Sequence, residues 1–358
     1  MTKRILITGG SGFVGSNLAV DLVTRGYEVT VLDDLSRRGS EILLKKRILP
    51  QGIKFVRGDV RNPGDLRKLK EAFVLLIECS AEPSVLAGTQ GQDARRLLDI
   101  NLQGAIHCFE WARERRVPVL FLSSSRIYPY DRLNACHYRE TETRFDLDEG
   151  CEGVSPRGVR TEMPLHGIRS LYGASKLCAE LILREYAVQY DLPAIIDRCG
   201  VIAGPWQLSK VDQGVFTFWL AHHYFKKPLK YIGFGGMGKQ VRDLLHVQDL
   251  VELVAKQAQC LIGDKPAYRG EVFNVGGSSY SNLSLREATD ICGQLTGNPM
   301  AIGSVLEPRP ADVIWYITDN GRTEQVFEWK PRRSSRKILE DTFLWLKDHE
   351  LDFKKIFL

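Results

Sequence analysis

Arg4-Ile5-Leu6-Ile7-Thr8-Gly9-Gly10-Ser11-Gly12-Phe13-Val14-Gly15 is the stretch that decides the fold. Its apolar start predicts a short buried strand, its glycines a tight turn, and the residues that follow an amphipathic helix running to about Gly26. Gly9 suits the turn, Gly12 lets the backbone approach a pyrophosphate, and Gly15 lets the helix pack closely on the sheet; the helix N-terminus favours an anion. A second strand, Glu28-Val29-Thr30-Val31-Leu32, ends in Asp33, at the spacing of a carboxylate that binds adenosine ribose hydroxyls. Together these make a dinucleotide cradle, with Gly9, Gly12, Phe13, Val14 and Gly15 forming its turn. A glycine-rich turn without a ligand would explain the glycines but not the acid.

The two carboxylates Asp33 and Asp34 come first at the strand end and favour NAD, because they accept from a 2′-hydroxyl and repel a 2′-phosphate. Arg37 and Arg38 lie just downstream and could hold that phosphate instead. Ser36 and Arg37 complete the expected contacts of this turn.

A chain of 358 residues can bury a large core, and 26% charged residues is ordinary for a soluble protein. No apolar run reaches the length of a membrane span, and the chain enters a strand directly, without a secretory signal. The expectation is a cytoplasmic protein that binds no membrane. Most of the cysteines lie in apolar stretches, such as Cys79, Cys178, Cys199, Cys260 and Cys292, and none forms a Cys-x-x-Cys pair. They read as reduced thiols, not a disulfide frame or a zinc site. His222 and His223 are adjacent, so on a helix they point apart, and no metal is expected. The net charge of +5 is mild and its basic residues are interspersed with acids, which argues against nucleic acid as a partner. An anionic small substrate accounts for several arginines.

Strand patterns at 4–8, 28–33, 53–57, 73–78, 118–123 and 193–198 alternate with helical patterns, notably 92–115 and 171–190. This predicts an α/β fold, a Rossmann-type doubly wound parallel sheet covered on both faces, with a smaller C-terminal substrate-binding lobe. Residues 1–200, with 243–277 returning to the sheet through Glu271-Val272-Phe273-Asn274-Val275, make the dinucleotide domain; 201–242 and 278–358 make the lobe. Helices are expected at about 213–226, 247–262, 284–296 and 334–348. The polar stretch 130–170 reads either as an active-site cover or as a surface insertion. Ligands of such folds bind beyond the carboxyl ends of the strands.

Tyr172 and Lys176, in Tyr172-Gly173-Ala174-Ser175-Lys176, lie four apart on one helix face. A free tyrosine is too weak an acid to serve as a base near neutrality, and a neighbouring ammonium stabilises its phenolate. The fifth strand ends in Ser123-Ser124-Ser125, which supplies a hydroxyl for the same substrate oxygen. Tyrosine, lysine, serine and a nicotinamide suffice to oxidise an alcohol reversibly.

Several further stretches complete a pattern: Gly58-Asp59-Val60-Arg61, Asn101, Arg242-Asp243-x-x-His246-Val247-x-Asp249, Phe273-Asn274-Val275-Gly276-Gly277 and Arg309-Pro310-x-Asp312. With the cradle and the Tyr172 motif, the chain resembles an extended short-chain dehydrogenase/reductase of the nucleotide-sugar branch over nearly its whole length. The resemblance implies tightly held NAD, with Asp59 and Val60 at the adenine, Ser80 beside the cofactor and Asn101 supporting the lysine region. It implies a nucleoside-diphosphate sugar as substrate, held by Ser124, Ser125, Arg126, Arg242 and Arg309, and a homo-oligomer, dimer or tetramer. For Arg242 and Arg309 a surface ion pair is the alternative.

Sugar 4,6-dehydratases of this branch carry Asp-Glu where this chain has Ser125-Arg126, which disfavours dehydration. Arg126, Asp34-Leu35-Ser36-Arg37-Arg38-Gly39, Glu140-Thr141-Glu142-Thr143-Arg144 and the segment 238–246 resemble the CDP-paratose 2-epimerases, also called CDP-tyvelose epimerases. The implied activity is redox-neutral epimerisation through a keto-sugar, with 4-epimerases the nearest rival. A net reductase and a non-catalytic dinucleotide-binding module are more distant alternatives. Pro129, Glu78-Cys79-Ser80-Ala81 and Cys199-Gly200 depart from the family pattern and leave the sugar open.

Overall fold

The computed structural model describes residues 3–88, 93–208, 214–263 and 267–357. Seven strands form the main sheet: β1 (Arg4–Thr8), β2 (Glu28–Asp33), β3 (Lys54–Arg57), β4 (Leu75–Glu78), β5 (Val119–Ser124), β6 (Ala194–Cys199) and β7 (Arg269–Val275). Their order is β7-β6-β5-β4-β1-β2-β3, and each pair from β3 to β5 is parallel. The strand order reverses between β1 and β4, the place where such sheets receive ligands. Thr8 and Glu78 are register partners at that point.

The strands are apolar because both sheet faces are covered; every residue of β4 and β5 is buried. The helices α1 (Phe13–Thr24), α2 (Gly104–Arg115) and α3 (Leu171–Gln189) belong to this layer. Leu6, Leu76, Phe109, Phe121 and Ile196 share one core, in which Phe109 meets Phe121 edge to face at 5.4 Å. The helix expected over 92–115 forms as Ala94–Leu98 and α2, joined by a wide π turn at Asp99–Gln103 that carries Asn101. Residue 92 lies outside the described residues.

The chain divides into two compact units: Met1–Ser124, Leu171–Arg198 and Val251–Phe273 in the first, Ser125–Ser170, Cys199–Leu250 and Asn274–Leu358 in the second. The stretch 125–170, expected within the dinucleotide domain, therefore belongs to the second unit, as do 243–250 and 274–277. The cause is pairing. The stretch forms a short helix, Tyr130–Asn134, and two hairpins, Tyr138–Glu140 with Phe145–Leu147 and Val154–Ser155 with Gly158–Val159. Phe145 N donates to Lys239 O at 2.9 Å, and Asp319 N to Val159 O at 3.0 Å.

The second unit is built on Val241–His246, which pairs with Val201–Ala203, Asn282–Ser284 and Trp315–Tyr316. Its helices include Val215–Tyr224, Leu285–Thr296 and Ser335–Asp348, close to their expected bounds; residue 213 lies outside the described residues. Ser284 and Glu287 form a capping box at the start of Leu285–Thr296. Arg144 grips Glu287 with two nitrogens, at 2.8 and 2.6 Å, and Asn282 Oδ1 with a third at 2.8 Å. The Glu140 to Arg144 run thus anchors its hairpin to a helix cap.

The cysteine reading needs one correction. Cys136 and Cys151 form a disulfide, with Cα atoms 5.8 Å apart. They lie 15 positions apart, so spacing gave no signal; the hairpin between them brings the two thiols together. Cys178 and Cys260, exposed, and Cys108, Cys199 and Cys292, buried, take no part in a disulfide. No helix among the described residues is long and apolar enough to cross a membrane.

Candidate functional site

The cradle lies in the first unit. Gly9 turns the chain at φ +66°, and its N–H donates to Leu32 O at 2.9 Å. A Cβ on Gly15 would lie 2.4 Å from Gly9 O, so only glycine lets α1 start this close to the turn. A Cβ on Gly12 would meet only Gly9 O, at 3.1 Å; its other side is open. Gly12 caps α1 with no side chain, which leaves the first-turn amides of a 12-residue helix uncapped by any side chain beside Phe13 and Val14. Asp33 is pinned at the end of β2 by Ser11 N at 3.0 Å and Leu35 N at 2.9 Å. Burial pushes its carboxyl up, and those two N–H groups oppose the shift. An open helix N-terminus beside an oriented carboxylate fits a dinucleotide.

Around this turn, Asp34 accepts from Ser36 N at 2.9 Å, with Ser36 exposed and Arg37 half-buried. Burial acts against the Asp59 carboxylate, but the Arg61 guanidinium, 2.5 Å away, outweighs it and holds Asp59 below its ordinary range. Val60 is buried behind it.

Ser124 ends β5, and α3 presents Tyr172 and Lys176 one turn apart; Ser124 and Tyr172 are each 8% exposed and Lys176 2%. The Lys176 ammonium donates to Leu122 O at 3.0 Å and lies 4.6 Å from the centre of the Phe121 ring. This fixes the lysine to the strand that carries Ser124, two residues on. The Tyr172 ring packs with Ala87, Leu97 and Leu171. Asn101 clamps the backbone of Glu82, accepting from its N–H at 2.8 Å and donating to its carbonyl at 3.1 Å. Ser80 donates to Glu78 Oε1 at 2.5 Å, and Thr8 donates to the other oxygen. Sequence reasoning noted Glu78 only as a departure; its one signal was an acid closing an apolar strand.

The second unit holds a partly open pocket. Ser125, Arg126 and Arg242 line it, as do Tyr130, Arg169 and Tyr316, which no motif singled out. Arg242 Nη2 meets Asp312 Oδ1 at 2.6 Å, and its Nη1 donates to Val241 O at 2.7 Å. Burial lowers the Arg242 pKa to about 10, with Asp312 opposing, so the group is a cation at neutral pH. Arg126 Nη1 donates to Ala311 O at 3.3 Å. Three guanidinium groups lining one pocket suit an anionic ligand. Arg309 is not among the lining residues; it is half-buried, and its carbonyl accepts from Asp312 N at 3.2 Å. Tyr128, also on the wall, donates to Asn274 Oδ1 at 2.7 Å.

The profile of the NAD dependent epimerase/dehydratase family matches residues 5–276. The chain belongs to that family. As a member of the NAD dependent epimerase/dehydratase family it is an enzyme, and its cofactor is NAD. It is similar to the CDP-paratose 2-epimerase of Salmonella typhi, 28% identical over 96% of this chain and 98% of that protein. It is also similar to the UDP-glucose 4-epimerase of Neisseria meningitidis serogroup A, 26% identical over 97% of this chain and 98% of that protein. Among solved structures, the UDP-glucuronic acid 4-epimerase of Bacillus cereus, in complex with UDP-glucuronic acid and NAD, shares the fold with a TM-score of 0.78. It is 21% identical and covers 97% of this chain and 99% of that one.

Proposed function

We propose that this family member is a redox-neutral nucleotide-sugar epimerase acting at C2 of a CDP-linked deoxysugar. The observation that carries the reading is the tract Ser124-Ser125-Arg126. It keeps the hydroxyl that alcohol oxidation uses, and it has serine and arginine where dehydration needs an acid and a base. Arg126 lies on the wall of the second unit's pocket, which supports contact with the ligand. The similarity to a CDP-paratose 2-epimerase over nearly the whole chain supports the same choice.

In this reading the Tyr172 phenolate takes the sugar hydroxyl proton and later returns it. Lys176, fixed to Leu122, favours the phenolate by its charge. Ser124 donates to the reacting oxygen. Gly9, Gly12, Phe13, Val14, Gly15 and Asp33 would hold NAD, with Asp34, Ser36, Arg37, Asp59, Val60, Ser80 and Asn101 around it. NAD held there would supply reversible hydride acceptance and return at the sugar carbon. Arg126 and Arg242 hold the diphosphate, with Arg309 the further candidate. A 4-epimerase is the second reading, favoured by the similarity to a UDP-glucose 4-epimerase at 26% identity.

The test is turnover of a CDP-linked 3,6-dideoxyhexose deuterated at C2 or at C4, with no added cofactor. A rate effect from C2 deuterium alone is expected, with no net reduced cofactor. An effect from C4 deuterium alone overturns the C2 assignment.

A further inference from the structure

We propose that Asn134 is a positioning residue for the arginines of the second unit's pocket: its side-chain amide holds the loop on which Arg126 and Arg242 are both seated, and so sets how tightly the pocket binds a pyrophosphate group. The proposal rests on the reading given above, in which those arginines grip the substrate's diphosphate.

Asn134 closes the short helix Tyr130–Asn134, whose Tyr130 and Leu133 line the pocket. Its amide meets backbone groups on both sides of Val313, which is buried and also lines the pocket. Nδ2 donates to Asp312 O at 3.0 Å, and Ile314 N donates to Oδ1 at 2.9 Å. One partner is an acceptor and the other a donor, and a carboxamide answers both in a single orientation. A peptide in a neighbouring strand would hold Val313 in a similar way. The contact joins two stretches of the pocket's lining that lie 178 positions apart in the chain.

The loop held in this way seats both arginines. Arg126 Nη1 donates to Ala311 O at 3.3 Å, and Arg242 Nη2 meets Asp312 Oδ1 at 2.6 Å. Two guanidinium groups thus rest on adjacent residues. Ala311 has φ +57°, the left-handed region that a residue with a Cβ rarely adopts, and such a conformation persists only where its surroundings hold it. The Asp312 carboxylate accepts from Val313 N at 2.9 Å, which ties the Arg242 seat to the residue that Asn134 brackets. On the far side, Val241 N donates to Ile314 O at 3.0 Å, beside Arg242 in sequence. Burial opposes the charge on Arg242 most, and the charge of Arg126 adds to that opposition. Fixed seats are therefore needed to keep two mutually repelling cations at one pocket until an anion arrives. Removing the amide takes a hydrogen bond from each side of Val313 and loosens both seats together.

The experiment is calorimetric titration of the NAD-loaded protein with inorganic pyrophosphate, beside steady-state kinetics with the CDP-linked sugar. Asn134→Leu, similar in size but without either hydrogen bond, is expected to weaken pyrophosphate binding about tenfold. KM is expected to rise by a similar factor, with kcat within about twofold. Unchanged pyrophosphate affinity overturns the proposal, even where Tm falls, because the amide would then serve the fold alone. A fall in kcat at unchanged KM overturns it as well. If Asn134→Leu does not fold, Asn134→Ser, shorter but still polar, is expected to weaken binding in the same direction, and unchanged affinity there overturns the proposal equally. The expected loss of pyrophosphate affinity in a protein that does not turn over the CDP-linked sugar would overturn the functional reading and leave Asn134 its role. A parent protein that binds no pyrophosphate overturns both.

Discussion

Arg242 Nη2 lies 2.6 Å from Asp312 Oδ1, and Val313 N donates to the same oxygen at 2.9 Å. The carboxylate aims a guanidinium at the pocket while its own charge stays tied to the backbone. Asp312→Asn keeps the shape and loses the charge. It is expected to raise the KM for the nucleotide sugar about tenfold and leave kcat within about twofold. Steady-state kinetics beside calorimetric titration of a nucleoside diphosphate reads this. A fall in kcat with unchanged KM would contradict the binding role.

Arg242 also predicts a pH dependence. With its pKa lowered to about 10 by burial, the guanidinium is charged at neutral pH and loses its proton only in strong base. Nucleoside diphosphate affinity is therefore expected to be flat from about pH 7 to 9 and to fall above about pH 10. Binding that weakens well below that point would assign the titration to another group.

Tyr172→Phe removes one oxygen from a ring packed among Ala87, Leu97 and Leu171. The fold and NAD content are expected to survive, while turnover falls by about 10²–10⁴. Absorbance of the extracted cofactor and turnover, measured on the same preparation, separate the two effects. Lost cofactor with preserved turnover would remove the tyrosine from the chemistry.

Asp197 is 0% exposed, accepts one hydrogen bond from Gln257 at 2.8 Å, and is pushed up to about 7 by burial. The folded value lies above the ordinary 3.8, so the protonated carboxyl stabilises the fold in acid. That contribution is lost as pH rises through about 7. Asp197→Asn is expected to match the parent near pH 4 and exceed it by about 2–4 kcal/mol at pH 8. Tm measured at both pH values tests this; equal Tm at pH 8 refutes it.

Two links outside the chemistry are separable from it. Opening the Cys136–Cys151 bridge, which closes a span of 15 residues, is expected to cost about 3 kcal/mol of stability. Arg144→Ala, which strips a cap clamp, is expected to cost about 1–2 kcal/mol without changing kcat. Calorimetry with and without a reducing agent, and kinetics of the Arg144 variant, read the two. A large loss of kcat in Arg144→Ala would place the 140–144 run at the active site.

The first unit was largely legible in the sequence. A strand buried on both faces must be a continuous apolar run, and a turn with Gly9 and Gly15 must be glycine. Period and backbone sterics are local properties, so each of the six expected strands formed near its expected place. Glu78 was less legible because one of its two hydroxyl donors, Thr8, comes from 70 positions away, and no local pattern ties the two together. The second unit's pocket was hidden for the same reason. Tyr130, Arg169 and Tyr316 converge only through hairpin and strand pairing. Loop 130–170 carries no single period because it is built of short pieces. The Cys136–Cys151 bridge is a product of that same folding back.

The first boundary between the two units falls on the peptide bond between Ser124 and Ser125. On one side stand the serine, tyrosine and lysine assigned to proton handling; on the other stands every residue lining the arginine-rich pocket. In the proposed reading, selection can rewrite what is gripped through residues 125–170, 199–250 and 274–358 while the machinery of bond change is inherited untouched. A chimaera exchanging those segments between relatives should transfer preference for a sugar without having to rebuild a reaction.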